Sequence, residues 1–144
     1  MPRASGQKYH YQDHDSDVVD EAPPVQNTWY EVFHAYDVRL LWCVLEQDNE
    51  ENAAKTCEVR WTIDGNVYFA SISLDDATAY FVFRNHLASA GGTAGLSMTT
   101  TFRNAAGFPG KRGQDCKVEV RITDVLGTNQ RLQCWCVRET LELT

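Results

Sequence analysis

The clearest strand pattern in the sequence lies in residues Lys55–Gly65, which read KTCEVRWTIDG. Apolar residues occupy every second position of Cys57–Ile63, and charged or polar residues occupy the positions between them. This strict period of two is typical of a β-strand with one buried and one solvated face. The residues 64–66 that follow, Asp-Gly-Asn, predict a tight hairpin turn because they tolerate positive φ. The chain then returns as a partner strand over Val67–Leu74.

The same alternation recurs near the C-terminus, in Cys116–Thr123. No long stretch has the period of a helix, and Gly, Asn and Asp mark the turns between short β-rich segments. The pattern predicts an all-β protein, an antiparallel β-sandwich of jelly-roll-like type with about eight strands. The other predicted strands are Thr28–His34, Val38–Leu45, Ala79–Arg84, Leu96–Arg103 and Arg131–Arg138.

Residues 1–27 differ from the rest of the chain because they have no hydrophobic periodicity. They contain five acidic and two basic residues, so −3 of the net charge of −7 lies in this segment. Such a polar segment cannot bury enough apolar surface to fold alone. We therefore predict an extended N-terminal arm, residues 1–27, and a β-sandwich domain, residues 28–144. We expect the arm to be held either by the surface of its own domain or by a neighbouring subunit.

The composition limits the class of protein. A length of 144 residues is typical of one domain. The acidic balance, with a pI near 5.0, argues against binding to nucleic acid or to an anionic membrane, because phosphate groups are bound by clustered Lys and Arg. No apolar run is long enough to span a bilayer. We expect neither nucleic acid nor membrane as a partner.

The five cysteines are an odd number, whereas a secreted disulfide framework favours an even one. Cys57 and Cys116 each open an alternating strand, and Cys134 and Cys136 share one face of the last strand. Cysteine therefore takes positions that Val or Ala would otherwise fill, and no Cys-x2-Cys pair indicates a metal site. We interpret the cysteines as reduced core residues. A disulfide or a metal site is the alternative.

The arm provides the candidate site for a partner. Its tyrosines are large contact residues that lose little rotamer entropy on binding, and its aspartates can meet a basic groove. A basic loop tip, Lys111 and Arg112, is the second candidate contact in this acidic chain. Coordination of a divalent cation by His10, His14 and the neighbouring aspartates is the alternative for the arm. The predicted partner-binding residues are Tyr9, Tyr11, Asp13, Asp15, Asp17, Lys111 and Arg112.

Enzyme motifs are absent from the sequence. The segment Ala105–Arg112 contains Gly110 and Lys111 but lacks the first glycine and the final hydroxyl residue of a phosphate-binding loop. Nothing in the spacing of the four histidines connects one to a nucleophile. The adjacent acids Asp75 and Asp76 fit a turn better than a pair of glycosidase carboxylates. We predict no catalytic residue, no cofactor and no resident metal, and therefore a protein that is not an enzyme.

The patterned strands of residues 55–65 and 116–138, together with the aromatic strand Tyr80-Phe-Val-Phe, resemble small β-sandwich proteins of tailed-phage virions. This class includes head-decoration (cement) proteins and tail-fibre domains. The resemblance implies a homo-oligomer, commonly a trimer, that lies over the joints of a capsid lattice and bridges capsomers by extended arms. It also implies the major capsid protein as partner, synthesis in the host cytoplasm and a place on the capsid exterior. It transfers no site residues.

Two other functions remain open. One is a carbohydrate- or receptor-binding module of a tail fibre or spike, which would need an exposed, coplanar aromatic pair from among Trp29, Trp135, Tyr68 and Tyr80. The other is a small enzyme of the cupin or glycosidase kind, and a cupin would need a histidine-rich metal cluster on inner strands.

Overall fold

The computed structural model describes residues 9–84 and 115–143, and within these ranges every regular element is a β-strand. The predicted strand Leu96–Arg103 and the basic tip, Lys111 and Arg112, lie outside them. Eight strands are present in the described residues. Their bounds are β1 Tyr9–Glu21, β2 Tyr30–Tyr36, β3 Val38–Asp48, β4 Lys55–Ile63, β5 Asn66–Leu74, β6 Tyr80–Arg84, β7 Asp115–Ile122 and β8 Arg131–Leu143.

The strands form two antiparallel sheets of four strands each. The first sheet has the order β1-β8-β3-β6, and the second has the order β2-β7-β4-β5. Among the described strands, only β4 and β5 form a sequence-adjacent pair, and the pairs β3 with β6, β2 with β7 and β1 with β8 are nested around it. The chain therefore has the connectivity of a long hairpin that is folded over on itself, with the β4–β5 turn at its tip. The predicted all-β class with antiparallel sheets is confirmed.

The turn between β4 and β5 has the predicted hairpin geometry. Asp64 and Gly65 both have positive φ, at 49° and 83°. Such angles at two central residues match the twist of the flanking strands. This turn closes the ladder in which Trp61 faces Tyr68 and Ile63 faces Asn66.

One hydrophobic core lies between the two sheets. The alternating positions of β4 and β7 are buried as predicted, and Trp61 is the largest fully buried side chain. All five cysteines are buried and free, which agrees with the interpretation that they are reduced core residues. Burial raises the pKa of both Cys57 and Cys116 to about 12, so both are protonated thiols at neutral pH and poor nucleophiles.

The N-terminal segment forms strand β1 on the edge of the first sheet. It pairs with β8 from Tyr9 opposite Leu143 to Glu21 opposite Leu132, with an irregularity between Gln12 and His14. Its Val19 is buried in the common core. Residues 9–21 are therefore held by their own domain, one of the two arrangements that the sequence left open for the arm.

An amide cluster closes one end of the core. Gln47 is almost fully buried, donates to the carbonyl oxygens of Ala53 and Leu74, and accepts from the amide nitrogens of Asn49 and Gln130. Gln130 also accepts a hydrogen bond from the backbone of Gly127. These bonds join β3 and the end of β5 to the β3–β4 and β7–β8 connections, so buried polar groups that would otherwise oppose folding are satisfied.

Candidate functional site

The predicted partner-binding residues of the arm all lie on β1. Tyr9, Tyr11 and Asp15 are opposite Leu143, Leu141 and Arg138 in the register, and Asp13 falls at the irregularity of the strand. The side chains of these four β1 residues are outside the described part of the structure. Only the backbone pairing of these residues with β8 is therefore established.

Asp17 is the one predicted arm residue whose side chain is described, and it contacts its own domain. Its carboxylate accepts a hydrogen bond of 2.8 Å from Nε of Arg138, and both side chains are mostly buried. The Arg138 guanidinium also lies 5.2 Å from the centre of the Phe33 ring in the second sheet. Asp17 thus helps to connect β1, β8 and the opposite sheet, and a partner would have to compete for this carboxylate.

A charged ladder covers the outer face of the second sheet. Arg121 pairs with Glu58 at 2.6 Å, and Arg60 pairs with Glu119 at 2.8 Å, in each case across the β4–β7 ladder. Lys117 adds a second cation 3.5 Å from Glu119. Burial raises the pKa of Glu119, but the hydrogen bond and charge of Arg60, with the charge of Lys117, outweigh it, so the net pKa lies below its usual value.

Trp29 lies over this ladder rather than standing free. The guanidinium carbons of Arg60 and Arg121 are 4.0 and 4.4 Å from its ring centre, within the range of cation–π attraction. Phe69 meets the same ring edge-on, with 6.4 Å between ring centres and an angle of 75°. The rings of Trp29 and Phe69 are therefore not coplanar, and they do not form a flat surface for stacking against a sugar.

The other sugar-stacking candidates are scattered. Tyr80 is 3% exposed, and its hydroxyl donates to Asp75, so its ring belongs to the core. Trp135 is half-buried on the outer face of the first sheet, opposite Val18 and Val44. Tyr68, on β5 of the other sheet, is exposed. The structure does not bring these candidates together at one place.

The most exposed apolar part of a described strand is on β5, an edge strand of the second sheet. Val67, Tyr68 and Phe69 are consecutive and are 61%, 42% and 45% exposed. We name these three residues the β5 apolar edge. The whole strand, NVYFASISL, contains no charged residue and no proline. Sheet edges of soluble proteins usually carry Lys, Pro or bulges that prevent pairing with another chain, and β5 has none of these.

Two other edge strands differ from β5 in charge. The edge strand β1 contains five acidic residues along its length. On β2, the other edge of the second sheet, Glu31 and His34 are exposed, and His34 lies 2.5 Å from Asp115. Of these three edge strands, β5 is the one without a charged residue, so charge does not hinder extension of its sheet by another chain. This edge was not predicted from the sequence, although the nine consecutive uncharged residues of β5 were a signal for it.

A cavity of about 310 Å³ lies beside the amide cluster. Its lining contains no ionisable side chain, so it offers neither an acid nor a base for catalysis: the lining residues are Ala22, Pro23, Gly127, Asn129 and Gln130.

In the part of the chain that the structure describes, no helix is long and apolar enough to cross a membrane. No protein-family model matches the chain, and no curated protein matches it.

Proposed function

We propose that this protein is a non-enzymatic structural subunit of a virion, of the capsid-decoration (cement) kind, with a jelly-roll sandwich and an N-terminal arm. The single observation that carries the proposal is the strand order β1-β8-β3-β6 over β2-β7-β4-β5. Two four-stranded antiparallel sheets, wound from nested strand pairs, are the arrangement expected of a jelly roll. Viral capsid domains are prominent among jelly rolls, together with lectins and cupins.

The β5 apolar edge supports an assembling subunit over a solitary domain. An edge strand has unpaired backbone groups on its outer side, and another chain can satisfy them by extending the sheet. The absence of charge on β5 removes the usual obstacle to this pairing. We propose that β5 is the edge through which copies of this chain associate, in agreement with the homo-oligomer, commonly a trimer, that the resemblance implies.

The N-terminal arm contributes less to partner binding in this proposal than the sequence predicted, because part of it is held by its own domain. Its residues Tyr9–Glu21 pair with β8 of the same chain, and Asp17 is engaged by Arg138. The edge of β1 that faces away from β8 is left for a neighbour, and Asp13 and Asp15 of this strand are the proposed charged contacts. The proposed neighbour is the major capsid protein on the capsid exterior, and a basic groove would complement the acids of β1.

The proposed mechanism is mechanical rather than chemical. Each subunit forms weak contacts with several neighbours, and these contacts reinforce one another once the subunits are held in a lattice. Because binding favours the assembled state over its parts, decoration stabilises the shell. This function requires edge strands that hold their shape, and it requires no reactive side chain.

The oligomeric state of the full chain in solution tests the proposal. Val67→Lys places a charge on the β5 apolar edge, and Val25→Lys places the same charge on a valine that is equally exposed, at 61%, but lies outside the strands. Light scattering after gel filtration should find an oligomer for the wild type and for Val25→Lys, and a monomer for Val67→Lys. A wild type that is monomeric at all concentrations, or an oligomer that Val67→Lys leaves intact, would contradict the proposed association.

A carbohydrate-binding module is the second candidate, because lectins also have jelly rolls and Tyr68 on β5 is an exposed aromatic residue. Glycan-array binding distinguishes the two functions. Binding that disappears in Tyr68→Ala and persists in Val67→Lys would favour the sugar-binding function. Loss of self-association with no glycan signal in the wild type would favour the structural one.

A further inference from the structure

Three of the five cysteines lie close together on the buried face of the first sheet. Cys43 on β3 is directly opposite Cys136 on β8, and Cys134 lies two residues from Cys136 on the same face. The sulfur atoms of all three lie within 4.8 Å of one another. The Sγ atoms of Cys43 and Cys134 are 3.4 Å apart, well beyond the length of a disulfide bond. We name Cys43, Cys134 and Cys136 the thiol cluster.

The surroundings of the thiol cluster exclude water and provide no fourth ligand. All three cysteines are 0% exposed. The cross-strand neighbours of Cys134 are the apolar residues Val19 and Leu45. Asp17 is opposite Cys136, but its carboxylate is bound to Arg138. Among the residues that the structure describes, no histidine or further acid completes the set.

We infer that the thiol cluster is a binding site for one soft, thiophilic metal ion, of the Cu(I) class, held by three sulfur atoms. Metal–sulfur bonds of about 2.3 Å place three ligand atoms about 4 Å apart. The sulfur atoms of the cluster lie within 4.8 Å of one another, with one pair at 3.4 Å, so small shifts of the side chains would bring all three to a single ion. Thiolate ligands select soft ions such as Cu(I), whereas Mg²⁺ and Ca²⁺ require oxygen ligands. The site is independent of the proposed function, because no surface residue takes part in it.

The number of ligands distinguishes Cu(I) from Zn(II). A structural Zn(II) site takes four ligands in a tetrahedron, and the described surroundings of the cluster offer three. A three-coordinate ion needs no further donor. Each thiol that becomes a thiolate releases one proton to solvent as the metal–sulfur bond forms, so binding tightens as the pH rises.

The two remaining cysteines provide matched controls. Cys57 on β4 and Cys116 on β7 are also buried, but they belong to the opposite sheet and are not part of the thiol cluster. Cys57→Ala and Cys43→Ala each remove one sulfur from a side chain that is 0% exposed. Both variants therefore leave a similar small cavity, and only the second removes a proposed ligand.

The test is a Cu(I) titration of the full chain in oxygen-free buffer, in competition with a chromogenic Cu(I) chelator. The wild type and Cys57→Ala should bind one Cu(I) per chain. Cys43→Ala should bind at least about a hundredfold more weakly, because even loss of an outer-shell partner weakens metal sites about 10- to 100-fold. Circular dichroism establishes that each variant is folded.

X-ray absorption of the loaded wild type, which needs no variant, should find three sulfur neighbours around the copper. The inference is overturned if the wild type binds no stoichiometric Cu(I), since the cluster is then only core packing. It is also overturned if the folded Cys43→Ala protein binds as tightly as the wild type, or if Zn(II) displaces Cu(I) at equal concentration.

Discussion

The Asp17 carboxylate accepts a 2.8 Å hydrogen bond from Nε of Arg138, which fastens the N-terminal strand to the C-terminal one. Asp17→Asn removes the negative charge beside a mostly buried guanidinium. We expect a loss of about 1.5 to 3 kcal/mol in the free energy of unfolding, the range for hydrogen bonds to charged groups. Urea unfolding followed by fluorescence measures it.

The exposed pair of Asp20 and Arg131 is the control for this prediction. It joins the same two strands with N–O distances of 2.6 and 2.8 Å, but its side chains are about 40% exposed. Solvent screening reduces the value of such a pair, so Asp20→Asn should cost less than Asp17→Asn. Equal losses for both variants would show that burial does not decide the strength of the β1–β8 connection.

The buried amide cluster should be sensitive to removal of Gln47. Gln47→Leu keeps much of the side-chain volume but leaves the carbonyl of Leu74 without its amide donor and removes the acceptor used by Asn49 and Gln130. We expect a loss of about 1 to 3 kcal/mol in the free energy of unfolding, the cost of an unsatisfied buried polar group. Gln133→Leu, on the half-buried outer face of the first sheet, should change it much less. A neutral Gln47→Leu would contradict a structural role for the cluster.

The close packing of Gly127 leads to a third prediction. A Cβ atom at this position would lie 2.8 Å from Cβ of Asn49, an atom fixed to its own backbone. Gly127→Ala should therefore lower the thermal midpoint, because overpacking of this kind typically costs about 1 to 3 kcal/mol. Val125→Ala, in the same connection but 68% exposed, serves as the control in differential scanning calorimetry. An unchanged midpoint for Gly127→Ala would contradict the packing described for this end of the sandwich.

The ladder on the second sheet should contribute to acid sensitivity through Glu119. Its pKa in the folded protein lies below the ordinary value of 4.5 because Arg60 and Lys117 outweigh the effect of burial. Ionised Glu119 therefore stabilises the fold above pH 4.5, and this contribution is lost as the pH falls through the folded pKa. Glu119→Gln should be less stable at neutral pH and lose less stability between neutral pH and pH 3.

Glu46 should have the opposite effect on the stability of the fold. Burial, with the charge of Asp48, raises its pKa above the ordinary value, so its ionised form opposes folding at neutral pH. Glu46→Gln should therefore gain stability at neutral pH, while Glu119→Gln loses it. Urea unfolding across the pH range measures both variants, and parallel curves for the two would contradict the assigned electrostatics.

The sequence predicted the parts of the fold that depend on local patterns. The alternation in Cys57–Ile63 and Cys116–Ile122 identified two inner strands, their buried faces and the turn after Ile63. β1 was not predicted as a strand, because Tyr9–Glu21 has no periodicity of its own and is ordered by pairing with β8. Such pairing between the two ends of a chain leaves no local signal.

The candidate surfaces were less predictable from the sequence, because they too depend on contacts between distant parts of the chain. Trp29 was a candidate for sugar stacking, but two arginines from β4 and β7 cover its ring. The cysteines were correctly predicted to be buried, but their convergence depends on the register that places Cys43 opposite Cys136. The two strands are more than 90 residues apart in the sequence. Their register depends on the tertiary fold, so it cannot be predicted from the residue pattern of either strand.

Residue-resolved hydrogen exchange of Asn66–Leu74 at low and high protein concentration tests whether β5 is an assembly edge. The amides of β5 that do not pair with β4 should exchange fast in dilute solution, become protected as the concentration rises, and lose this protection in Val67→Lys. Val25→Lys should behave like the wild type. Fast exchange of these amides at every concentration would contradict the claim.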